Sequence, residues 1–424
     1  MVYVIDNSGL PLMPTNRCGH VRRLLKANRA TIVSYTPFTI RLLYSTTRHT
    51  QEVSLGVDTG SKHIGFSATT TSKVLFEAQV DIHADVSRKL RERKVLRKNR
   101  RAKHTRYRKQ RSLNRISSKP NGWIAPSIRY KVHIHCYWVN RLCNIMPVSR
   151  IIIEVGQFDI QSLMATDMNR MKPYGLDYAH GEQHGFHTTR EYVIHRDGNT
   201  CVACHGSSKD TKLHVHHIQS RRIAGNAPNN LVTLCRTCHS LYHKGLIALP
   251  NSIQRGKSYK DAAAVGIMKP YIMNTVKKMC GPSILCEETY GYMTKAVRIQ
   301  CGLCKAHHSD ARCISGNPRA VSSDGIVYMI TKIRDNNRQL HAATYNKFGI
   351  RRRVQAPKEV HGYRLLDTVR FEGRTCIISG RRSNGFFSLM DLAGKKLTQS
   401  VSYKKLTLMH HNQSYLMTPM VPTC

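Results

Sequence analysis

The spacing of apolar and polar positions changes several times along the chain, and each change marks a predicted element. Residues 1–48 alternate short apolar runs (VYVI, TIVSY, FTIRLLY) with turn residues, which predicts strands around one short helix near 20–27. Residues 53–70 predict a strand, a tight turn and a second strand, and 150–155 predict a strand of the buried type. In 320–424, short β-type runs alternate with Gly and Asn turns, which predicts a small β-barrel or curled sheet.

Other segments, interspersed among these strands, are predicted to be helical. A long helix is expected over 127–145, a short helix and turn over 189–199, and a further helix within 260–285. Residues 286–305 are predicted to form a strand and a turn, and an apolar helical stretch is expected to begin at Asp310. Strands and helices are therefore interleaved, which predicts an α/β fold.

The most basic stretch is 87–115, where 15 Lys and Arg residues stand against one acidic residue, Glu92. No Pro or Gly interrupts it, so a long helix is expected once its charge is neutralised. A solvated or disordered tail is the alternative, because most charge runs are of that kind. The run lies inside the chain, which favours a helix along nucleic-acid phosphates. The arginines expected to contact nucleic acid are Arg88, Arg91, Arg97, Arg100, Arg101, Arg106, Arg108 and Arg111.

The composition supports a polyanionic partner. The chain has 424 residues, enough for two to four domains, and 67 basic against 25 acidic residues give a formal net charge of +42. Such a charge repels itself unless a polyanion neutralises it, so nucleic acid is the first partner to consider and an anionic membrane the second. No apolar run approaches the roughly 20 residues of a spanning helix, and no signal peptide is evident. The 14 cysteines are expected to be reduced, as in a cytoplasmic protein.

Two Cys-x-x-Cys knuckles lie in 201–238. Four thiolates satisfy a tetrahedral zinc ion, so this pair is a specific signal for a structural zinc site. The ligands are predicted to be Cys201, Cys204, Cys235 and Cys238. A third knuckle, Cys301 and Cys304, has no partner pair and is interpreted as incidental.

Several histidines near these knuckles are left over for other chemistry. His216 and His217 are adjacent, so on a strand they point to opposite faces, whereas His239 and His243 share one face of a helix. His216, His239 and His243 can therefore bind one divalent ion. His217 can then deprotonate a water, with Asn230 orienting its imidazole through backbone or amide. A purely structural zinc ribbon with incidental histidines is the alternative.

Three carboxylates each lie at the edge of an apolar element: Asp58, Glu154 and Asp310. If they gathered on one sheet they would hold two Mg²⁺ ions, which clamp the attacking and leaving oxygens in phosphodiester cleavage. For Asp58 alone, an ordinary turn aspartate in a hairpin is an equal alternative. The sequence by itself does not show that the three converge.

The zinc-fastened histidine arrangement over 190–244 resembles the HNH (ββα-metal) nuclease motif. That resemblance implies His217 as general base, with His216, His239 and His243 as ligands of one Mg²⁺. Three further segments, VSLGVDTGSKHIGFS, RIIIEVGQFD and KAHHSDARCIS, resemble the split pieces of a RuvC-type RNase H fold. This second resemblance brings the three acids together around two Mg²⁺ ions, and it places His307 where a histidine is proposed to activate water.

The order of all these parts, including the opening Pro-Leu-Met-Pro, resembles the IscB family of transposon-associated, RNA-guided nucleases. The resemblance implies an RNase H-like fold split in three, with an inserted HNH zinc-ribbon domain and small β-rich terminal domains. Its expected parts are an N-terminal domain (1–50), RuvC piece I (51–86), a bridge helix (87–126), piece II (127–160), a linker (161–188), the HNH domain (189–250), piece III (251–320) and a basic C-terminal domain (321–424).

The family also implies partners and an activity. An omega RNA would carry the guide, HNH would cut the guide-paired strand of double-stranded DNA, and RuvC would cut the displaced strand. The C-terminal domain would help to read a target-adjacent motif, and the protein would act as a monomer in a cytoplasmic, nucleoid-associated ribonucleoprotein. Two alternatives stay open: a protein-only HNH endonuclease of the homing or restriction type, and a catalytically silent guided binding protein.

Overall fold

The computed structural model describes residues 1–83, 92–95, 98, 123–155, 185–219, 228–251, 253, 260–332, 343–345, 351–353, 357–412 and 414–421. The chain divides into two compact units. The first unit joins 1–157 to 264–424, and the second is 158–263. Helices and strands occur in both, which confirms the mixed α/β class.

The first unit begins with a small sheet and a helix, as the apolar pattern predicts. The elements are β1 (Tyr3–Ile5), α1 (Cys18–Lys26), β2 (Ala30–Tyr35) and β3 (Phe38–Leu42). Strand β3 lies in the centre, parallel to β1 and antiparallel to β2. Val21 and Leu24 of α1 pack with Ile40 in a separate small core, which fixes the helix on the sheet.

The next elements form the centre of a larger sheet. They are β4 (Val53–Asp58), β5 (His63–Thr69), β6 (Lys73–Asp81), α2 (Pro126–Cys143) and β7 (Val148–Glu154). Strands β4 and β5 are the predicted hairpin, and α2 and β7 match the predicted helix and buried strand. Strand β6 was not predicted. The acidic Glu77 interrupts its apolar run, although that side chain is buried in the fold.

In the residues that the structure describes, the second unit contains a helix, a two-stranded sheet and a second helix. Its elements are α3 (Thr189–Arg196), β8 (Leu213–His217), β9 (Leu231–Cys235) and α4 (Arg236–His243). Strands β8 and β9 pair antiparallel, with His217 opposite Leu231. Tyr192 and Val193 of α3 pack against Leu231, so a small apolar core holds the first helix to the sheet.

The chain then adds helices and strands around the large sheet. They are α5 (Lys260–Cys280), β10 (Leu285–Thr289), α6 (Gly291–Gln300), α7 (His307–Ile314), β11 (Val321–Ser322) and β12 (Val327–Lys332). The prediction of a strand and turn over 286–305 was wrong in its second half, where α6 forms. That segment mixes β-favouring Tyr, Val and Ile with helix-favouring Met, Lys, Ala, Arg and Gln, and Thr294 of the helix makes a tertiary contact described below.

The remaining strands are β13 (Ala343–Tyr345), β14 (Arg351–Arg353), β15 (Glu359–Val360), β16 (Tyr363–Arg364), β17 (Thr368–Phe371), β18 (Arg374–Arg381), β19 (Phe386–Met390), β20 (Lys396–Ser402), β21 (Thr407–His410) and β22 (Tyr415–Met420). Five of them form a sheet in the order β20-β19-β18-β17-β21. Its core centres on the buried Phe387 and Leu389. The predicted β-rich C-terminal region thus contains a five-stranded antiparallel sheet, while β11, β12 and β22 join the large sheet.

Within the described ranges the large sheet has eight strands, in the order β10-β7-β4-β5-β6-β12-β22 with β11 beside β6. Strands β4, β7 and β10 are mutually parallel neighbours. Parallel strands end at the same edge of a sheet, so Asp58 and Glu154, which end β4 and β7, lie at one edge. Among the helices in the described ranges, none has both the length and the apolar composition that a bilayer crossing requires.

Candidate active sites

The first candidate site is the acid edge, which we define as Asp58, Glu154, Asp310 and His307. Asp58 is buried at the end of β4, and its Oδ2 lies 2.6 Å from Nδ1 of His307. This hydrogen bond raises the pKa of His307, against a smaller opposing effect of burial. The rings of His63 and His307 also stack, with centroids 5.4 Å apart. Two segments 249 residues apart in sequence therefore meet in one contact.

Two glycines allow the helix α7 to reach this edge. A Cβ at Gly65 would lie 1.9 Å from the carbonyl oxygen of His307, and one at Gly56 would lie 2.0 Å from that of Ala311. Gly65 is the partner of Asp58 across the β4–β5 pair. Gly56 and Asp58 share a face of β4 because strand side chains alternate. These two glycines thus form the surface of the sheet against which α7 packs.

A buried ion pair fixes α7 from its other end. Arg312 donates from Nε and a terminal guanidinium nitrogen to the two carboxylate oxygens of Glu77, both at 2.6 Å. Glu77 is only 2 % exposed and also accepts a hydrogen bond from Ser67. A bidentate guanidinium–carboxylate pair sets both position and orientation, so α7 is held in register with β6.

Glu154 is held by contacts at the ends of two neighbouring elements. Thr294 of α6 donates from Oγ1 to Glu154 Oε2 at 2.7 Å, and Thr59 donates to the Glu154 backbone carbonyl at 2.6 Å. Burial raises the pKa of Glu154 to about 7, and the charges of Asp58 and Asp310 add to the increase. The carboxyl group is therefore one that a nearby cation would strongly favour in its charged form.

Asp310 lies in the first turn of α7, and Arg298 Nε of α6 lies 2.8 Å from its Oδ1. Burial and the charge of Asp58 raise the pKa of Asp310, while Arg298 opposes the increase. The three carboxylates thus repel one another, and oxygen donors of this kind are the ligands that Mg²⁺ prefers. The residues present fit a divalent-cation site.

The spacing of these acids differs from that of the other candidate ligands. Among the described residues, two groups have all their ligand atoms within 4.8 Å of one another: the four knuckle cysteines, and His216 with His239 and His243. The three carboxylates are not a third such group. Two metal ions in a nuclease centre lie about 3.5–4 Å apart, so their ligands spread over two centres and need not be this close.

The cysteine group lies in the second unit and fits zinc. All four Sγ atoms lie within 4.8 Å of one another, and Cys204 and Cys235 are 3.9 Å apart. Tetrahedral bonds of about 2.3 Å to zinc place sulfurs roughly 3.8 Å from one another. The Cys238 backbone N–H donates to the Cys235 sulfur at 3.4 Å. The four cysteines expected to bind zinc are therefore gathered as a tetrahedral site requires.

The histidine group forms where β8 faces α4. His216 is 6 % exposed, and the Nε2 atoms of His239 and His243 are 3.3 Å apart. Burial lowers the pKa of His216 to about 4, and the neighbouring imidazoles contribute to the decrease. Burial lowers the pKa of His239 as well. Neutral imidazole is the form that ligates a metal, so this group fits one divalent ion.

The predicted general base lies beside that group. His217 is the last residue of β8. It lines a cleft of about 340 Å³. The cleft is lined by Val215, His216, His217, Ile218, His239, Tyr242 and His243. A water or a phosphate in this cleft can therefore reach His217 and the three predicted ligands.

Asn230 is buried and holds the chain immediately after His217. Its amide donates to the Gln219 carbonyl and accepts from the Gln219 N–H, both at 2.9 Å. Its own carbonyl accepts from the Ile218 N–H at 2.9 Å. These bonds fix the backbone on the C-terminal side of the histidine.

Sequence reasoning missed several residues that position this cleft. Arg196 donates to the carbonyls of Pro228 and Leu231, at 2.9 and 2.8 Å, and Asp197 accepts from the Thr233 N–H at 2.8 Å. His214 stacks on His239 with ring centroids 5.5 Å apart. The strand period of two places His214 on the same face as His216, and this was the signal that could have found it.

The predicted phosphate-binding arginines lie outside the described residues. They are Arg88, Arg91, Arg97, Arg100, Arg101, Arg106, Arg108 and Arg111.

Comparisons with known proteins give two family matches. Residues 2–178 match the RRXRR protein family, and residues 201–245 match the HNH endonuclease family. None of the curated proteins matches the sequence.

Among solved structures, similar chains include Streptococcus thermophilus Cas9 in complex with the GGAA PAM and with the AGGA PAM, at 11 % and 10 % identity. In both cases the TM-score is 0.34, and the similarity covers 53 % of this chain and 30 % of the other. The chain thus spans about a third of the length of those proteins. The RRXRR and HNH matches, in this order along one chain, are consistent with the resemblance to the IscB-like nucleases, and residues 201–245 match a family of metal-dependent endonucleases.

Proposed function

We propose that the protein is an RNA-guided endonuclease that cuts both strands of DNA at two separate sites. The HNH domain cuts the strand paired with an omega RNA guide. The acid edge is the centre of a RuvC-type RNase H fold, split in three along the chain, and it cuts the displaced strand.

The observation that supports two sites most directly is the pair of ligand sets in separate units. One set is the acid edge, built from segments that include Asp58 and His307, 249 residues apart. The other is the histidine cleft of the second unit. A protein-only HNH endonuclease would need no second set of carboxylates held by dedicated contacts such as that of Thr294 with Glu154.

At the acid edge, Asp58, Glu154 and Asp310 would hold two Mg²⁺ ions. Bound there, the ions supply positive charge for the attacking and leaving oxygens. His307 presents Nδ1 to Asp58, which leaves Nε2 to take a proton from the attacking water.

In the second unit, His216, His239 and His243 would hold one divalent ion, while the four cysteines would hold a structural zinc. Such an ion would supply positive charge to the scissile phosphate. His217 accepts the proton of the attacking water, and Asn230 keeps the backbone after it in place. A neutral imidazole is suited to this role near neutral pH.

The partners follow from charge and from the resemblance. A net charge of +42 suits a guide RNA, its scaffold and a DNA duplex, whose backbones the protein contacts while base pairing reads sequence. The stretch 87–126 would be the bridge helix between them, and 321–424 would contact the RNA and a target-adjacent motif. The protein would work as a monomer in a cytoplasmic ribonucleoprotein on the nucleoid.

The test is strand-resolved cleavage of a guide-matched plasmid by the ribonucleoprotein. His217→Ala and Asp58→Ala are each expected to leave one nick, on opposite strands. The matched controls are His187→Ala in the second unit and Glu288→Ala on β10, both exposed, and both are expected to cut both strands. The two-site proposal is overturned if either active-site variant alone abolishes all cleavage with its fold intact.

The nature of the guide is tested on the same preparation. Sequencing the co-purified RNA is expected to give one discrete species with a variable end. Site-specific cleavage that persists after the RNA is removed would instead establish a protein-only endonuclease. Absence of Mg²⁺-dependent cleavage by the intact complex would establish a silent binding protein.

A further inference from the structure

Two tyrosines at the start of α6 are unusually exposed. Tyr290 is 41 % exposed and Tyr292 is 72 % exposed. Their rings are nearly parallel, at 13°, with centroids 6.1 Å apart. Exposed aromatic faces in this arrangement offer a surface on which another flat group can stack.

These tyrosines flank a glycine that lies close to Glu154. Gly291 stands between the two tyrosines, and a Cβ on it would lie 3.0 Å from Glu154 Oε1. Thr294, in the same first turn, donates to Glu154 Oε2. The aromatic pair is therefore next to the acid edge, within one helical turn of a residue in contact with it.

Two lysines lie near the pair. Lys269 Nζ lies 5.7 Å from the Tyr290 ring centroid. Lys295 is exposed three residues after Tyr292, so both lie on the same side of α6. Aromatic rings interleaved with cations beside a nuclease centre are the surface that binds single-stranded nucleic acid.

We infer that Tyr290 and Tyr292 stack an unpaired base of the DNA strand that enters the acid edge, with Tyr292 as the main positioning residue. This inference rests on the proposed function, because it takes the acid edge to cut DNA. Stacking tolerates any base, since every base has a π face. It would hold the strand in place while sequence is read elsewhere.

The experiment compares Tyr292→Ala with Tyr292→Phe, which keeps the ring, and with Ile299→Ala, a control that removes an exposed apolar side chain from the far end of the same helix (63 % exposed). Single-turnover cleavage of the displaced strand by the ribonucleoprotein is measured at several DNA concentrations. Base–aromatic stacking contributes roughly 1–3 kcal/mol per base, so the apparent Kd for DNA is expected to rise at least about 5-fold in Tyr292→Ala. Tyr292→Phe and Ile299→Ala are expected to match the native protein.

A second measurement locates the contact. The native complex is irradiated with a single-stranded oligonucleotide that carries 5-iodouracil, and the cross-linked residue is mapped by mass spectrometry. A cross-link on Tyr292 or Tyr290 supports the inference. Unchanged DNA dependence in Tyr292→Ala, or equal losses in Tyr292→Ala and Tyr292→Phe, would overturn it.

The two proposals can fail separately. If Asp58→Ala removes the displaced-strand cut while Tyr292→Ala behaves as native, the stacking inference is wrong and the two-site function stands. If the tyrosines cross-link to DNA but the Asp58→Ala protein still cuts both strands, the acid edge is not a nuclease centre, although the two tyrosines bind DNA.

Discussion

The acid edge and the histidine cleft contain ligands of similar number but are built in different ways. The cleft draws His216, His239 and His243 from 28 consecutive residues on one strand and one helix. The acid edge draws Asp58, Glu154 and Asp310 from segments spread over more than half of the chain. In the first, local geometry brings the ligands together, whereas in the second the sheet order does.

Because the two sites are built differently, they are expected to be disrupted by different mutations. A local site depends on whatever holds its small unit folded, and here four clustered thiols take the place of a large core. A distributed site depends on the packing of whole elements, and here that packing relies on two glycines beneath α7 and the Arg312–Glu77 pair. Each weakness can be tested alone.

The largest effect is expected from the knuckle cysteines. Cys235→Ala removes one of four ligands from a small unit, and structural zinc binding contributes about 10–16 kcal/mol to the folding of such domains. That exceeds the stability of many whole domains, about 5–15 kcal/mol. Cleavage of the paired strand is therefore expected to fall at least about 100-fold, with loss of bound zinc measured by atomic emission.

The control for this change is Cys301→Ala, in the third knuckle. Among the described residues, Cys301 belongs to no group of clustered ligands, so zinc content and both cuts are expected to stay native. Displaced-strand cleavage is expected to persist in Cys235→Ala. Full paired-strand cleavage by a zinc-free Cys235→Ala protein would show that the local site does not depend on the metal.

A smaller loss of activity, this time at the acid edge and not in the histidine cleft, is expected from Gly65→Ala. The added methyl group would lie 1.9 Å from the His307 carbonyl oxygen, so the start of α7 must move away from β5. A displacement of about 1 Å in a catalytic group can cost roughly 100-fold in rate. Displaced-strand cleavage is expected to fall by about that factor, while paired-strand cleavage stays native.

Gly266→Ala is the matched control, because a Cβ at Gly266 in α5 meets no heavy atom within 4 Å. Measuring the cleavage of each strand of one plasmid gives the displaced-strand rate and the paired-strand rate in a single assay. Equal rates for Gly65→Ala and Gly266→Ala would mean that α7 does not need its close approach, and the distributed site would then be less constrained than its geometry indicates.

The same contrast explains what the sequence alone could predict. The cysteine and histidine clusters could be predicted from spacing, because a knuckle and an i, i+4 pair on a helix fix their own geometry. The convergence of Asp58, Glu154 and Asp310 depended on a family resemblance, since no local pattern encodes which strands become neighbours. The role of the glycines at 56 and 65 could not be predicted, because it depends on α7, far away in sequence.

Other gaps have the same cause. Helix α6 was predicted as a strand and turn because its helix-favouring Met, Lys, Ala, Arg and Gln are interspersed with β-favouring Tyr, Thr, Val and Ile. The contact that fixes it on Glu154 is tertiary. Strand β6 was missed because it contains the acidic Glu77. A carboxylate can be buried in a strand only when it is paired, and its partner Arg312 is distant in sequence. The type of an element was therefore predictable where buried positions follow a simple period. It was missed where the element depends on a contact with a side chain that is distant in sequence.

The last effect concerns the stability of the first unit at low pH. His135 of α2 is fully buried in the first unit, its Nδ1 lies 2.8 Å from the Lys131 carbonyl, and its Nε2 has no hydrogen-bond partner among the described residues. Burial lowers the pKa of His135 from 6.5 to about 4, with the Lys131 carbonyl opposing the decrease and its ammonium adding to it. The folded state thus binds this proton less well than the unfolded chain. Stability is therefore present above pH 6.5 and is lost as the pH falls towards 4, by up to about 3 kcal/mol.

Thermal unfolding of the zinc-loaded protein between pH 7 and pH 4 measures this loss. In His135→Phe, which keeps an aromatic ring in the same position, the unfolding transition of the first unit is expected to depend less steeply on pH. The transition of the second unit is expected to move equally in both proteins. Parallel pH profiles for the first unit would mean that the acid sensitivity of the large sheet arises elsewhere, and a change confined to the second unit would mean that the two units do not unfold independently.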